Sequence, residues 1–228
     1  MKKFFTFAIC AMAVLFASCE KNEPSLDKDN PSGGGENDHE YVDLGLSVKW
    51  ATCNVGANKP EEYGDYFAWG ETEPKEYYNW STYKWCNGDY DNLTKYCYDS
   101  LYGIVDNKTV LDLSDDAARA NWGGSWRMPT TEEQQELIYN CTWTWTTQSG
   151  VNGYKVTSDK NGKSIFLPAA GYRDDSSLYY AGSNGNYWSS SLYSDYPGYA
   201  WLVFSYSSYV GRSSGNRSCG FSVRPVCQ

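Results

Sequence analysis

The stretch Pro129-Thr130-Thr131-Glu132-Glu133-Gln134-Gln135-Glu136-Leu137-Ile138-Tyr139, followed closely by Thr142-Trp143-Thr144-Trp145-Thr146-Thr147, changes its structural signal partway along. Pro129 marks an entry, and Thr130 with Glu133 three residues on has the spacing of a capping box, so the first part predicts a helix through about Tyr139. The alternation of Thr and Trp that follows has the period of two expected of a strand. Tyr154-Lys155-Val156-Thr157 and Ser164-Ile165-Phe166-Leu167 are further strand candidates, and the turn Asp159-Lys160-Asn161-Gly162 between them predicts that they pair. A helix feeding antiparallel strands points to an α+β fold.

Towards the N-terminus, Leu113-Ser114-Asp115-Asp116 before Ala117-Ala118-Arg119-Ala120 predicts a second, short capped helix. The Gly-, Tyr- and Trp-rich residues from Asn54 to Gly103 read as long loops, with a short strand at Tyr66-Phe67-Ala68-Trp69. Loops of that length are uncommon unless functional or stapled. Val42, Leu44, Leu46, Val48 and Trp50 alternate with Asp, Gly, Ser and Lys, predicting a half-buried strand that opens the domain. Towards the C-terminus, Tyr187-Trp188-Ser189-Ser190, Ala200 to Phe204 and Phe221 to Val226 are expected as short strands.

The N-terminal residues carry an address. Lys2-Lys3, an apolar run from Phe4 to Phe16 and Ala17-Ser18-Cys19 predict a signal peptide over residues 1–18, too short to be a membrane span. Leu15 to Cys19 resembles the lipobox of bacterial lipoproteins, which implies lipidation at Cys19. The polar, acidic run Glu20-Lys21-Asn22-Glu23 resembles the signals that send Bacteroidetes lipoproteins to the outer face of the outer membrane. Residues 19–40 then read as a lipidated flexible tether, and residues 41–228 as one domain.

A net charge of −9, with no cluster of Lys and Arg, argues against nucleic acid as a partner. His39 is the one histidine of the chain and falls in the expected tether, so a Ser-His-Asp triad, a Cys-His pair and an imidazole zinc site are excluded from the expected domain. The carboxylates at Glu61-Glu62, Glu71, Glu73, Asp115-Asp116, Glu132-Glu133 and Asp174-Asp175 read as solvated helix starts and loops rather than an acid/base pair. Gly33-Gly34-Gly35 and Gly123-Gly124 lack the context of a phosphate loop. Beyond Cys10 and Cys19 remain Cys53, Cys86, Cys97, Cys141, Cys219 and Cys227, an even set that suggests disulfides, with about fifteen pairings open. Cys86 with Cys97 is the favoured pair. Without a Cys-x-x-Cys spacing, no metal or thioredoxin-like role is expected.

Composition departs furthest from the ordinary between Tyr172 and Gly220, where Tyr and Ser supply 22 of 49 residues and Lys, Glu, Gln, Thr, Met and His are absent. Tyr offers amphipathic contact area at low entropy cost, and Ser, Gly and Asn offer adaptable hydrogen bonds, as in antibody loops. Substituting the adenines of an asparagine codon reaches this alphabet but never Lys, Glu, Gln, Met or Trp. Trp188 and Trp201 then stand as fixed scaffold, and Cys219 fits a varied position.

Trp126-Arg127-Met128-Pro129-Thr130, Leu167-Pro168-Ala169-Ala170-Gly171-Tyr172-Arg173, Tyr187-Trp188-Ser189-Ser190-Ser191, Ala200-Trp201 and Gly220-Phe221-Ser222-Val223-Arg224-Pro225-Val226 together resemble the Fibrobacter succinogenes major paralogous domain of Bacteroidetes lipoproteins. The C-terminal part also resembles variable proteins of diversity-generating retroelements. The resemblance implies a C-type-lectin-like fold, distantly related to the formylglycine-generating enzyme fold, with two short helices, several short antiparallel strands and long loops. It implies a scaffold of Trp188, Trp201, Arg212, Arg217 and Arg224, and a ligand-binding, retroelement-diversified face within residues 172–220. The expected contacts are Tyr179, Tyr180, Tyr187, Tyr193, Asp195, Tyr196, Tyr199, Tyr206, Ser208, Tyr209, Ser213, Ser214, Asn216 and Ser218. The triplets of a calcium-dependent sugar site do not occur, so neither calcium nor any other cofactor is expected.

The function that follows is a surface-exposed recognition or display lipoprotein, not an enzyme, anchored in the outer membrane by lipid and binding a protein or glycan. Two alternatives stand beside it. One is a structural component of the envelope or of a surface fibre. The other is an oxygen-dependent enzyme of the formylglycine-generating type, with copper at Cys219 and Cys227.

Overall fold

Val42, Leu44, Val48 and Trp50 are all buried, as their alternation predicts, yet they do not form one strand. The computed structural model describes residues 34–228, and in it this segment is extended only at His39–Val42 and Lys49–Ala51. Between them Gly45 takes φ +70 and its amide donates to the Asp43 carboxylate at 2.8 Å, which turns the backbone out of line.

In chain order the strands and α-helices are β1 (Gly34–Glu36), β2 (His39–Val42), β3 (Lys49–Ala51), α1 (Ala117–Trp122), α2 (Thr131–Tyr139), β4 (Cys141–Gln148), β5 (Val151–Ser158) and β6 (Ser164–Pro168). They continue with β7 (Tyr172–Asp174), β8 (Ser177–Tyr179), β9 (Asn184–Leu192), β10 (Tyr199–Tyr206), β11 (Tyr209–Asn216) and β12 (Val226–Cys227). Small antiparallel sheets with two short helices make the fold α+β. The sheets run β1-β2-β3-β12, β4-β5-β6, β11-β10-β9 and the hairpin β7-β8. Because β12 pairs with β3, the C-terminal strand closes onto an N-terminal one.

Local chemistry accounts for the helices. Thr130 and Glu133 form the expected reciprocal capping box on α2, and Asp116 caps α1 by accepting from the Arg119 amide at 3.0 Å. A 3-10 turn at Leu113–Asp115 precedes α1, so the predicted short helix is split in two. Asp115, Asp116 and Glu71 are buried rather than solvated, which corrects the expectation from sequence. The Asp115 carboxylate accepts from the Tyr96 hydroxyl at 2.6 Å and is ion-paired with Lys95. Asp116 also accepts from the Met128 amide at 2.8 Å, and burial raises its pKa.

The β9-β10 pair divides the interior. On one face Trp188, Ala200 and Leu202 pack with Trp69, Trp126 and Phe221. On the other, Tyr187 and Val203 pack with Leu137 of α2 and with Tyr154, Ile165 and Leu167. A third cluster of Tyr66, Tyr78, Tyr83, Leu93, Cys97 and Ala170 gives the long loops a core of their own.

Other expectations need correction. The signal peptide, Cys19 and the tether up to residue 33 lie outside the described residues, but the last part of the expected tether is folded. Gly34–Glu36 pairs with residues 39–41, and the His39 ring stacks on Trp122 at 3.8 Å. Low apolar content conceals this hairpin, because backbone hydrogen bonds and the face of one tryptophan hold it. Cys86 and Cys97 are not joined. All six cysteines of the domain are thiols, with Cys86 Sγ 3.0 Å from the Trp80 carbonyl and Cys97 Sγ 3.1 Å from that of Asp99. The expected strand at residues 66–69 is a buried segment with one bridge, Phe67↔Phe221, and only the end of the expected strand at residues 221–226 belongs to β12. Beyond Tyr209-Val210, β11 carries little sequence signal, since Gly, Arg, Ser and Asn fill residues 211–216 where β-branched residues usually stand.

Candidate functional site

The Tyr- and Ser-rich segment folds into β7 to β11 and the loops between them, and strand periodicity decides where its side chains go. Successive residues of a strand point to opposite faces, and partners in antiparallel register share a face. Tyr199 lies opposite Asn216 and Trp201 opposite Ser214, whereas Leu202 lies opposite Ser213 and Tyr206 opposite Tyr209. The expected contacts on β10 and β11 are therefore divided between the two faces of one sheet.

One group surrounds the loop between β9 and β10. Tyr102 meets Tyr196 edge-on at 4.8 Å, Tyr196 meets Tyr199 at 5.0 Å, and Tyr193 meets Trp201 at 4.7 Å. Tyr193 and Tyr199 are 6.4 Å apart, and the Arg212 guanidinium lies 4.0 Å over the Trp201 ring. Asp195 accepts from the Tyr193 hydroxyl at 3.0 Å, which raises the pKa of that hydroxyl. The Tyr196 hydroxyl is pushed up to about 12 by burial. Ser214 and Asn216 belong to this face by register.

The loop that carries these rings is held from below by Arg217. Its side chain is fully buried and donates to the Tyr83 hydroxyl (2.8 Å), the carbonyls of Tyr96 (3.1 Å) and Pro197 (2.9 Å), and that of Lys95 (3.0 Å). One guanidinium thus ties residues 95–96 to Pro197, bringing the neighbourhoods of Tyr102 and Tyr196 together. Arg224 is buried in the same manner, donating to Asn54 Oδ1 and to the carbonyls of Ala51, Thr52 and Phe166.

A second group is formed by Tyr206, Ser208 and Tyr209 at the turn between β10 and β11, with the two rings stacked at 5.6 Å. Ser213 is on that face by register. A third is the open end of the β7-β8 hairpin, where Tyr179 and Tyr180 stack with Tyr172 at 5.6 and 6.1 Å. Tyr180 is 60 % exposed and takes φ 54, a left-handed conformation rare for an aromatic residue.

Two expected contacts are not at the surface. Tyr187 is 3 % exposed and its hydroxyl donates to the Pro168 carbonyl at 2.6 Å, while Ser218 is also buried. Cys219 is likewise buried, and its thiol is pushed up to about 12 by burial and by the Asp174 carboxylate. A thiolate is disfavoured there.

Conversely, Trp201 and Arg212, expected as scaffold, form part of the aromatic face, and Tyr102 joins it from outside the segment. Strand alternation of Trp201 against buried Ala200 and Leu202 is the signal that could have placed it outward. Nothing in the sequence pairs Tyr102 with Tyr196, because the two are far apart in the chain and meet only through the fold.

A family model described as a domain of unknown function (DUF8237) matches residues 145–226, a span that contains all the expected contacts. Neither a curated protein nor a solved structure matches the chain.

Proposed function

We propose that this chain is a ligand-binding lipoprotein of the Fibrobacter succinogenes major paralogous type, with a C-type-lectin-like fold, displayed on the outer membrane by lipid at Cys19. Its recognition face is the continuous run Tyr102, Tyr196, Tyr199, Tyr193, Trp201 and Arg212. That run is the observation that carries the reading. It holds large amphipathic rings and one guanidinium on a loop anchored by a buried arginine, which is the combination that concentrates binding energy in protein recognition. Ser214 and Asn216 supply short polar groups beside it. The partner is a protein or glycan. Retroelement diversification of this gene would change the short polar and Tyr positions of this face while Arg217 and Arg224 keep the frame.

The test is to screen the full chain against a glycan array and a phage-displayed peptide library, then to remeasure each hit with variants of two faces. Tyr193→Ala/Tyr196→Ala/Tyr199→Ala is expected to weaken binding at least about tenfold, the loss of one or more hot-spot aromatic contacts. Tyr206→Ala/Tyr209→Ala, on the opposite face, is expected to leave it unchanged. Hits that survive the first triple variant and are lost with the second would reject this face.

A further inference from the structure

Away from the aromatic run, a cavity of about 270 Å³ opens between the residue 64–78 loop and β7. Its lining includes Tyr66 and Tyr78, whose hydroxyls are already committed. Tyr66 donates to the Ala170 carbonyl at 2.6 Å, and Tyr78 donates to the Tyr66 carbonyl at 2.6 Å while accepting from the Lys75 amide. Lys75 also lines the cavity, but its ammonium is occupied by the Glu71 carboxylate at 2.9 Å and the Thr82 carbonyl at 3.1 Å.

Arg173 differs from all of these. Its backbone is fixed by the reciprocal pair with Gly220, at 2.8 and 2.9 Å, and its guanidinium lies 5.3 Å over the Tyr66 ring. Among the described residues that half-buried guanidinium has neither a hydrogen-bond acceptor nor a carboxylate within ion-pair distance. Buried and half-buried guanidinium groups normally find acceptors, as Arg217 and Arg224 do here with four each. Asp65 and Glu76 are exposed carboxylates that also line the cavity. A dianion would meet their full repulsion, whereas in a zwitterion the attraction of its cationic group to them offsets the repulsion of its single negative charge.

We propose that this cavity binds a small zwitterion through its carboxylate: a free α-amino acid or the terminal residue of a short peptide. Arg173 receives the carboxylate through its planar fork of N–H donors, the wall at Tyr66 and Tyr78 flanks the aliphatic part, and Asp65 and Glu76 attract the ammonium. The site is separate from the aromatic run, and its failure would leave the proposed recognition face untouched.

Titration calorimetry of the full chain tests this with a panel of L-amino acids, their carboxamides, acetate and inorganic phosphate. Amino acids are expected to bind, their carboxamides to bind at least about tenfold more weakly, and Arg173→Gln to cause a similar loss because a charge-assisted bidentate contact is removed. Arg173→Lys keeps the charge without the fork and is expected to retain part of the affinity. Asp65→Asn/Glu76→Gln leaves Arg173 in place and is expected to weaken amino acids while strengthening acetate and phosphate. Because Arg173 pairs with Gly220 only through its main chain, its variants are expected to melt with the parent protein. Should Arg173→Gln fail to fold, the carboxamide comparison and the Asp65/Glu76 variant decide the question. Absence of amino-acid binding, equal binding of carboxamides, or tighter binding of phosphate by the parent protein would overturn the proposal.

Discussion

Arg212 and Arg217 are close in sequence and opposite in fate. Arg212 is exposed over the Trp201 ring, while Arg217 is sealed among Tyr83, Tyr96 and Pro197. Composition cannot separate them, because a guanidinium suits both a surface stack and a buried fork of donors. Removing each should therefore act differently. Arg217→Ala leaves several buried acceptors unmet and is expected to cost about 3–5 kcal/mol in denaturant unfolding. Arg217→Lys should recover little of that loss, since an ammonium cannot reach the same set of oxygens. Arg212→Ala is expected to stay within about 0.5 kcal/mol of the parent. His39 offers a second measurement on a single side chain. Burial against Trp122 lowers its pKa below 6.5, so the folded state binds less proton than the unfolded state as pH falls through 6.5. This contribution to stability is present above 6.5 and is lost on acidification towards the lower folded value. NMR titration of this imidazole should give a value below 6.5, and His39→Phe, which keeps a ring on Trp122, should remove that part of the acid dependence.

Among the elements, those with local signals form as expected. The capping box of α2 and the Thr/Trp alternation of β4 both act through near neighbours, and both are present. Thr130→Ala removes the side-chain oxygen that receives the Glu133 amide and is expected to cost about 1 kcal/mol, read as a shift in the urea midpoint without a change in slope. Beyond Tyr209-Val210, β11 lacks such a signal. Its Gly and Ser residues are drawn into extension by pairing along the whole of β10, which is a non-local cause. Gly215 shows one reason for that composition, because a Cβ there would stand 2.6 Å from the Phe221 ring. The residue type that weakens the strand signal is thus the one that the neighbouring core leaves room for.

Across the domain, the folded unit begins earlier than composition suggests. With β1-β2 as part of it, limited proteolysis of the full chain should leave a stable core that starts no later than about residue 34 and retains His39, detectable by mass spectrometry. What depends on near neighbours was legible in the chain order: the α+β class, both helix caps, the β4-β5-β6 strands and the skewed Tyr/Ser alphabet that marks residues 172–220 as unusual. The assembly of that alphabet into surfaces was not. Alternation along β10 sends Tyr199 and Tyr206 to opposite faces, burial takes Tyr187, Ser218 and Cys219 inward, Arg217 ties residues 95–96 to Pro197, and Tyr102 comes to lie beside Tyr196. Each of these outcomes requires contact between residues far apart in the chain. Composition reports which side chains are present, and short-range periodicity reports which way they alternate. Which of them share a surface follows from the packing of strands, loops and buried guanidinium groups, and no short window of sequence contains that information.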